Sequence, residues 1–331
     1  MGAHPRPARN QGYQARDVST NTVSGSTRLV VNPRWEGERL DLFLAGSTSL
    51  SRRRARRLAA DGMVQRNGEV LRVLSRTLRT GDVIDVVLPC EELGCPSAPH
   101  LETPVLLYRD EYLVAGAKPA GTLSQPAEQD PHEMSFDRQV LLFLALEDGR
   151  RPFLRMVHRL DRLTSGAVLF ARRPEVLVTL SRSWKEGRVE RLYLAIVEGQ
   201  PPFETTTIDA PIARDRTHSW RFQVAEDGKP ARTEVKTLVP SGDGPCAVLC
   251  RLATGRTHQV RVHLAHIGHP VRGDRLYGAG HGEDSGRPLL HAVSLVLPHP
   301  ATGDMLSIFC PPPDDLRSML PEGFTVPTWE E

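Results

Sequence analysis

The segment Val157-His158-Arg159-Leu160-Asp161-Arg162-Leu163-Thr164-Ser165-Gly166 packs more reactive side chains into ten residues than any other part of the chain. A single carboxylate, Asp161, lies between two arginines and close to a histidine, with small hydroxyl residues and a glycine just behind it. Guanidinium neighbours favour the charged form of a carboxylate, which suits Asp161 to work as a nucleophile or base and not as an acid. Taken alone, these residue types also fit a surface carboxylate in ion pairs beside a turn. A second concentration, Thr254-Gly255-Arg256-Thr257-His258-Gln259-Val260-Arg261-Val262-His263, runs into an apolar spacing. A helix over 257–267 stopped at Gly268 would gather Val260, Leu264 and Ile267 on one face and carry Arg261 at its edge, facing a cleft. A buried arginine there needs a carboxylate.

Other arrangements are weaker. His263, His266 and His269 recur every three residues, but the first two diverge around a helix and the third follows Gly268, so no metal site is expected. Gly278-Ala279-Gly280-His281-Gly282 has neither the preceding strand nor the following helix of a dinucleotide loop. His158-Arg159 precedes its aspartate one residue out of step with a kinase catalytic loop. Five cysteines, an odd number at low density, argue against a disulfide framework and for a reducing, cytoplasmic setting. Apolar runs such as Val86-Val87-Leu88 fall far short of a membrane span.

The elements that must hold these residues follow from the rest of the chain. With 331 residues, two domains are expected. The net charge of +2 averages a basic first hundred residues (15 Arg against 10 acids) and an acidic remainder (27 basic against 30 acidic). Residues 1–26 are poor in large apolar side chains and read as a disordered tail. From 27 to 88 a compact module is expected, with a strand at Leu29–Val31, a helix bearing Leu40, Phe43 and Leu44, a second helix near 51–60 and a strand at Val83–Val87. A proline-rich linker covers 89–104, a catalytic domain 105–320 and a short C-terminal tail 321–331. Within 105–320, strands are expected at 105–108, 112–117, 167–170, 192–197, 234–239, 247–252 and 289–297, with helices at 134–146, 174–186 and 257–267. Many strands in no regular βαβ order imply an α+β fold on a mixed, largely antiparallel sheet.

The second helix of the basic module carries Ser51 as a candidate cap and then Arg52, Arg53, Arg54, Arg56 and Arg57, with no carboxylate between them. Such a stripe suits a polyanion, although charge runs are often plain solvated faces. Arg39-Leu40-Asp41-Leu42-Phe43-Leu44, Leu50-Ser51-Arg52, Asp61-Gly62-Met63-Val64-Gln65-Arg66-Asn67-Gly68 and Gly81-Asp82-Val83-Ile84 resemble the S4 RNA-binding domain, named after a small-subunit ribosomal protein. That resemblance implies that Ser51, Arg52, Arg53, Arg56 and Arg57 contact RNA.

His158-Arg159-Leu160-Asp161-Arg162 followed by Thr164-Ser165-Gly166 resembles the signature of the RluA/RluD-type pseudouridine synthases. Lys118-Pro119-Ala120-Gly121, Arg191-Leu192-Tyr193-Leu194-Ala195, the 254–263 segment with Gly273-Asp274, and Leu290-His291-Ala292 resemble further motifs of that family in order. The family usually has asparagine where Ala117 stands and often histidine where Gln125 stands, two differences that bear on substrate fit. The resemblance implies an isomerase converting uridine in RNA to pseudouridine without cofactor or metal. Asp161 takes the place of the essential aspartate, which attacks either the ribose anomeric carbon or C6 of the base. Tyr193 matches the active-site tyrosine and Arg261 the arginine paired with the aspartate; Arg159 and Arg162 are expected to bind phosphate or help extrude the nucleotide. The expected partner is RNA, foremost large-subunit rRNA, acted on by a monomer. A tRNA-directed enzyme, or an RNA-binding or ribosome-assembly protein without significant catalysis, is the alternative.

Overall fold

The computed structural model describes residues 20–23, 26–48, 50–72, 76–88, 103–126, 134–218, 220–239, 246–278 and 286–330. The chain divides into two compact units. The first gathers residues up to Thr103 with 128–132 and 141–152, and the second holds the remainder.

In the first unit, β1 (Thr20–Val23) and β2 (Ser26–Val30) form an antiparallel hairpin, followed by α1 (Leu40–Ser47), α2 (Arg52–Ala60), β3 (Val64–Arg66), β4 (Glu69–Val70) and β5 (Val83–Val86). The sheet order is β1-β2-β5-β3-β4. Leu40, Phe43 and Leu44 of α1 are buried, as their spacing predicts, and so are Ala55, Leu58 and Ala59 of α2, the helix packed against it. Among the described residues, regular structure is present from Thr20, ahead of the expected boundary at 26. Thr and Val there carry β propensity, and ladder bonds to β2 offset the entropy of ordering. The rest of the expected tail, and 89–102 of the expected linker with Cys90 and Cys95, lie outside the described residues.

The second unit begins with β6 (Leu106–Arg109), β7 (Leu113–Lys118), α3 (Phe136–Asp148), β8 (Arg155–Met156) and β9 (Ser165–Ala171). It continues through α4 (Pro174–Lys185), β10 (Glu190–Val197), β11 (Thr205–Asp209), β12 (Ile212–Arg214), β13 (Phe222–Val224), β14 (Arg232–Val239) and β15 (Cys246–Leu252). Last come α5 (Gln259–His266), β16 (Leu290–Pro298), β17 (Met305–Phe309) and α6 (Asp314–Arg317). The first turn of α3 belongs to this unit and the rest to the first unit. One sheet dominates, in the order β11-β14-β15-β10-β16-β9-β7-β6, with β17 beside β16 and β8 beside β9. Its pairings are antiparallel except β9 with β16, so the expected mixed, largely antiparallel α+β fold is the one observed.

All seven residues of β9 are buried, which accounts for its unbroken apolar run. Leu113, Ala167 and Leu169 pack under Val176 and Leu180 of α4, while Phe170 meets Phe136 on the opposite face. Alternation along β10 sends Leu192, Leu194 and Ile196 into a second core and leaves Arg191 and Tyr193 to the other side. Val326 and Trp329 pack against that second core, and Arg251 lies 4.5 Å from the Trp329 ring centroid. The expected C-terminal tail is therefore anchored, because two apolar side chains gain more from this burial than the segment loses in freedom. Where β9 runs parallel to β16, Gly166 (φ +127°) faces Ala292 so closely that any Cβ would overlap its backbone.

Candidate active site

Asp161 stands in a loop tied down by several distant parts of the chain. The amide of Leu160 donates to Ser124 Oγ (3.0 Å), which donates in turn to the Leu160 carbonyl (2.7 Å). Lys118, almost fully buried at the end of β7, donates from Nζ to the carbonyls of Pro119 (2.9 Å), Thr122 (2.8 Å) and Arg162 (3.1 Å). Burial pulls this amine down to about 7, although three carbonyl acceptors suit the three N–H groups of the ammonium. Past the aspartate, Ser165 Oγ lies 2.9 Å from His291 Nδ1, and His291 Nε2 lies 3.0 Å from the Cys310 carbonyl. The carbonyl can only accept, so Nε2 carries the proton and Ser165 donates to Nδ1. The Lys118-Pro119-Ala120-Gly121 and Leu290-His291-Ala292 motifs thus act as clamps on the loop between β8 and β9.

The carboxylate meets its arginine from α5. Arg261 Nη1 approaches Asp161 Oδ2 to 3.6 Å. The tighter partner of Arg261 is Asp274, which accepts from Nε at 2.6 Å and Nη2 at 2.8 Å and is fully buried. Asp274 also accepts the amides of Leu276 (3.0 Å) and Tyr277 (3.2 Å), so its own position is fixed. One face of the guanidinium is locked, leaving a single nitrogen for Asp161. At the N-cap of α5, His258 is left-handed (φ +58°, ψ +18°), a conformation that costs a residue with a Cβ about 1 kcal/mol or more. Its Nδ1 is 2.7 Å from the Tyr277 hydroxyl, which accepts the Phe222 amide at 3.0 Å. The Asp161 carboxylate at 3.9 Å can only accept, which favours the proton on Nε2 and leaves Nδ1 to take the Tyr277 O–H. Burial lowers the pKa of this imidazole against the pull of Asp161, keeping it neutral near pH 7.

Opposite Asp161, β10 presents Tyr193 at a bulge where β16 fits the extra residue Val293. The Tyr193 phenol is pushed up to about 12, by burial first, with Arg191 opposing and Asp161 adding to the effect. It remains a neutral proton donor at physiological pH. His158 accepts the Leu169 amide on Nε2 (3.1 Å) and stacks on Trp184 at 4.5 Å between ring centroids. These groups line a cavity of about 260 Å³, walled also by Arg159, Arg191, Gly255, Arg256 and Leu290. Carboxylate, neutral phenol, neutral imidazole and guanidinium face one space large enough to admit a nucleobase.

The structure thus brings Asp161, Tyr193, Arg261 and Arg159 together. Arg162, next to Asp161 in sequence, is not among the residues lining the cavity, and its Nε donates to the Gly121 carbonyl at 3.0 Å. In the first unit, Ser51 Oγ caps α2 by accepting the Arg54 amide at 3.2 Å. Arg52 and Arg56 reach across to the fully buried Asp41 of α1 (3.1 and 3.0 Å), joined there by Arg39 (3.0 Å). The carboxylate is held down to about 2: burial works to raise it, and the bonds from Arg56, Arg52 and Arg39 outweigh that effect. The stripe is therefore partly neutralised by a residue eleven positions upstream of Arg52, which inspection of the run alone could not reveal. Arg53 and Arg54 are exposed and have no carboxylate partner among the described residues, while Arg57 makes a loose 3.9 Å pair with Asp61. Asp274, His258 and Arg191 went without roles in the sequence, although each stands inside a quoted motif. Their signal was position in those motifs, and their partners emerge only in three dimensions.

Among the described residues, no three or more His, Cys, Asp or Glu side chains cluster as they would to hold a metal ion, and no helix is long and apolar enough to cross a membrane. The RNA pseudouridylate synthase family matches residues 112–266, and the S4 domain matches 38–84. An uncharacterised RNA pseudouridine synthase of Chloroflexus aurantiacus is 37% identical over 296 residues, covering 88% of this chain and 92% of that protein. A ribosomal large subunit pseudouridine synthase D of Nitrosomonas europaea is 37% identical over 223 residues, 65% of this chain and 64% of that protein. Human RNA pseudouridylate synthase domain containing 1 superposes with a TM-score of 0.54 at 28% identity, covering 65% of this chain and 86% of that one. With these relatives and the carboxylate cavity on one scaffold, the chain belongs to the RNA pseudouridine synthases, isomerases that convert uridine to pseudouridine, and carries an N-terminal S4 domain.

Proposed function

We propose that this enzyme modifies large-subunit ribosomal RNA and that Asp161 is its nucleophile. The observation that carries the reading is the Asp161 carboxylate at a ring-sized cavity, 3.6 Å from an arginine whose other face is locked by Asp274. Attack falls on C1′ of the ribose or on C6 of the base. By either route the N1–C1′ bond breaks, the base turns, C5 bonds to C1′, the C5 proton leaves and N1 gains one, so the isomerisation needs no oxidant or reductant. A fixed carboxylate suits the oxocarbenium character that such cleavage develops. Arg261 orients Asp161, Tyr193 stacks on the uracil with its hydroxyl free for proton transfer, and Arg159 holds the extruded nucleotide. Arg162 contributes to the RNA contact from beyond the cavity. The S4 domain docks RNA through α2, with Arg53 and Arg57 toward phosphate and Ser51, Arg52 and Arg56 shaping that surface. A single chain supplies the whole set, so a monomer in the cytoplasm suffices. The choice of rRNA is supported by the similarity to the Nitrosomonas europaea protein.

The test maps pseudouridines in total RNA from cells with the gene, without it, and with Asp161→Ala. Loss of a large-subunit rRNA site in both altered strains, with RNA affinity of the purified variant unchanged, is expected. Loss confined to tRNA would overturn the choice of substrate, and an unaltered map in the Asp161→Ala strain would overturn the role of the aspartate.

A further inference from the structure

Arg191 is a buried cation without an anion. It is 6% exposed, and among the described residues no carboxylate lies within ion-pair distance of it. Its Nη2 donates to the Leu252 carbonyl (2.8 Å), its guanidinium carbon lies 5.6 Å from the Trp184 ring centroid, and its Nε is buried with no partner. Nη1 lies against Gly255, where an added Cβ would stand 3.0 Å from it. Both residues line the catalytic cavity, and Arg191 shares its strand face with Tyr193, two positions along β10. An unpaired buried guanidinium is costly to fold around, and its presence calls for a ligand that supplies negative charge.

The arrangement selects the ligand. Arg159 and Arg256 are exposed and line the same cavity, available to backbone phosphates. Arg191 is withdrawn among Trp184, Leu252 and Tyr193, a buried position that suits a flipped base better than a phosphate with chain on either side of it. Uracil is neutral as it enters, but when the N1–C1′ bond breaks, the bonding pair stays with the base and its charge spreads onto the ring oxygens. We propose that Arg191 is a catalytic residue of the isomerisation: its Nη1, which makes no hydrogen bond among the described residues, holds a carbonyl oxygen of the uracil and carries the negative charge the base acquires on departure. The charge is discharged when C5 bonds to C1′, the C5 proton is lost and N1 is protonated. This rests on the reading of the cavity as the site of uridine isomerisation.

The test uses the full-length enzyme as wild type, Arg191→Met, Arg191→Gln and Arg191→Lys. The probe is a transcript carrying the mapped uridine, made with uridine or with 5-fluorouridine. Fluorine stabilises a departing uracil anion, so a variant lacking the cation should regain ground on the fluorinated substrate. Single-turnover consumption of each nucleoside is followed by nuclease digestion and chromatography. Arg191→Met is expected to react about 100-fold more slowly on uridine, the scale of losing one preorganised donor, with a deficit about tenfold smaller on 5-fluorouridine. Arg191→Lys should fall between it and wild type. RNA affinity should stay within about twofold, and the melting temperature should hold or rise, since an unpaired buried charge has been removed. Equal deficits on the two substrates, or an unchanged rate, would overturn the proposal. Weakened affinity with a normal rate at saturation would reassign Arg191 to a phosphate, and a lowered melting temperature with no recovery in Arg191→Lys would reassign it to packing. Should Arg191→Met not fold, Arg191→Gln and Arg191→Lys carry the same comparison. A wild-type enzyme inactive on uridine would refute the reading of the cavity itself.

Discussion

Asp274 is not among the residues lining the cavity beside Asp161, yet the geometry makes it the residue on which the orientation of Arg261 depends. Asp274→Asn keeps the side-chain shape and one acceptor oxygen but removes the charge and turns an N–H group toward the N–H groups of Arg261. Two charge-assisted hydrogen bonds, at 2.6 and 2.8 Å, are at stake. Breaking a buried pair from one side costs about 3–5 kcal/mol, and Asp161, already 3.6 Å from Nη1, takes up part of that cost, which points to about 3 kcal/mol. The freed guanidinium closes toward Asp161 until it reaches an ordinary ion-pair distance of about 2.8 Å. That shift of about 0.8 Å approaches the displacement that costs a positioned group on the order of 100-fold in rate, and it engages the oxygen that the proposed attack by Asp161 would use. Isomerisation replaces the C5–H bond, so tritium release from 5-tritiated uridine in RNA reads the rate directly, and urea unfolding reads the stability. The expectation is a fall in kcat of about 100-fold with RNA affinity unchanged, and a strong coupling between Asp274→Asn and Asp161→Asn in a double-mutant cycle. A variant that loses stability but turns over within about threefold of wild type would refute the idea that Asp274 acts through Arg261.

Two further outcomes follow from features away from the reacting atoms. Arg53→Ala with Arg54→Ala should weaken RNA binding and flatten its salt dependence by about one unit of slope for each phosphate no longer neutralised, whereas Arg54→Ala alone should leave tritium release at saturating RNA unchanged; filter binding across a salt series measures this. His291 is held neutral by burial at about 4, against 6.5 for a free imidazole, with Cys310 opposing. The unfolded chain therefore takes up a proton below 6.5 that the folded chain refuses. Stability contributed by this group is intact above 6.5, falls as pH drops toward 4, and by pH 5 is down by about 2 kcal/mol. Urea unfolding at pH 7.5 and 5.0 should show that difference shrink by about this amount in His291→Gln, and an unchanged acid limb would refute the assignment.

Much of the scaffold is legible in the chain because burial leaves a periodic trace. Leu40, Phe43 and Leu44 mark one face of α1, the unbroken run of β9 marks a strand covered on both sides, and alternation in β10 separates Leu192 and Leu194 from Arg191 and Tyr193. The segments passed over are those whose trace is faint. Thr205–Asp209 buries only Ile208, and Phe222–Val224 is three residues long, so neither stands out from a loop. The site was legible as a set of motifs and opaque as a set of distances. Asp161 and Arg261 stand a hundred positions apart, and nothing local to Arg261 indicates that Asp274 holds it more tightly than Asp161 does. Asp41 poses the same difficulty for the arginine run, since a carboxylate on a neighbouring helix leaves no mark within the run it neutralises.

The position of β16 has a consequence for the life of the chain. Made after every other strand of this sheet except β17, it occupies the middle of the sheet, between β10 and β9, and brings with it both His291, which braces the Asp161 loop, and Ala292, which meets Gly166. Until residues 290–298 emerge, the earlier strands form two half-sheets with open inner edges, each exposing a row of unpaired amides and carbonyls. Such a nascent chain is at its most vulnerable to mispairing just before it becomes competent, and joining its halves waits on contacts of long sequence separation. Catalysis therefore begins only after residues 290–298 have been made, and the appearance of activity can serve as a clock for the closing of the sheet.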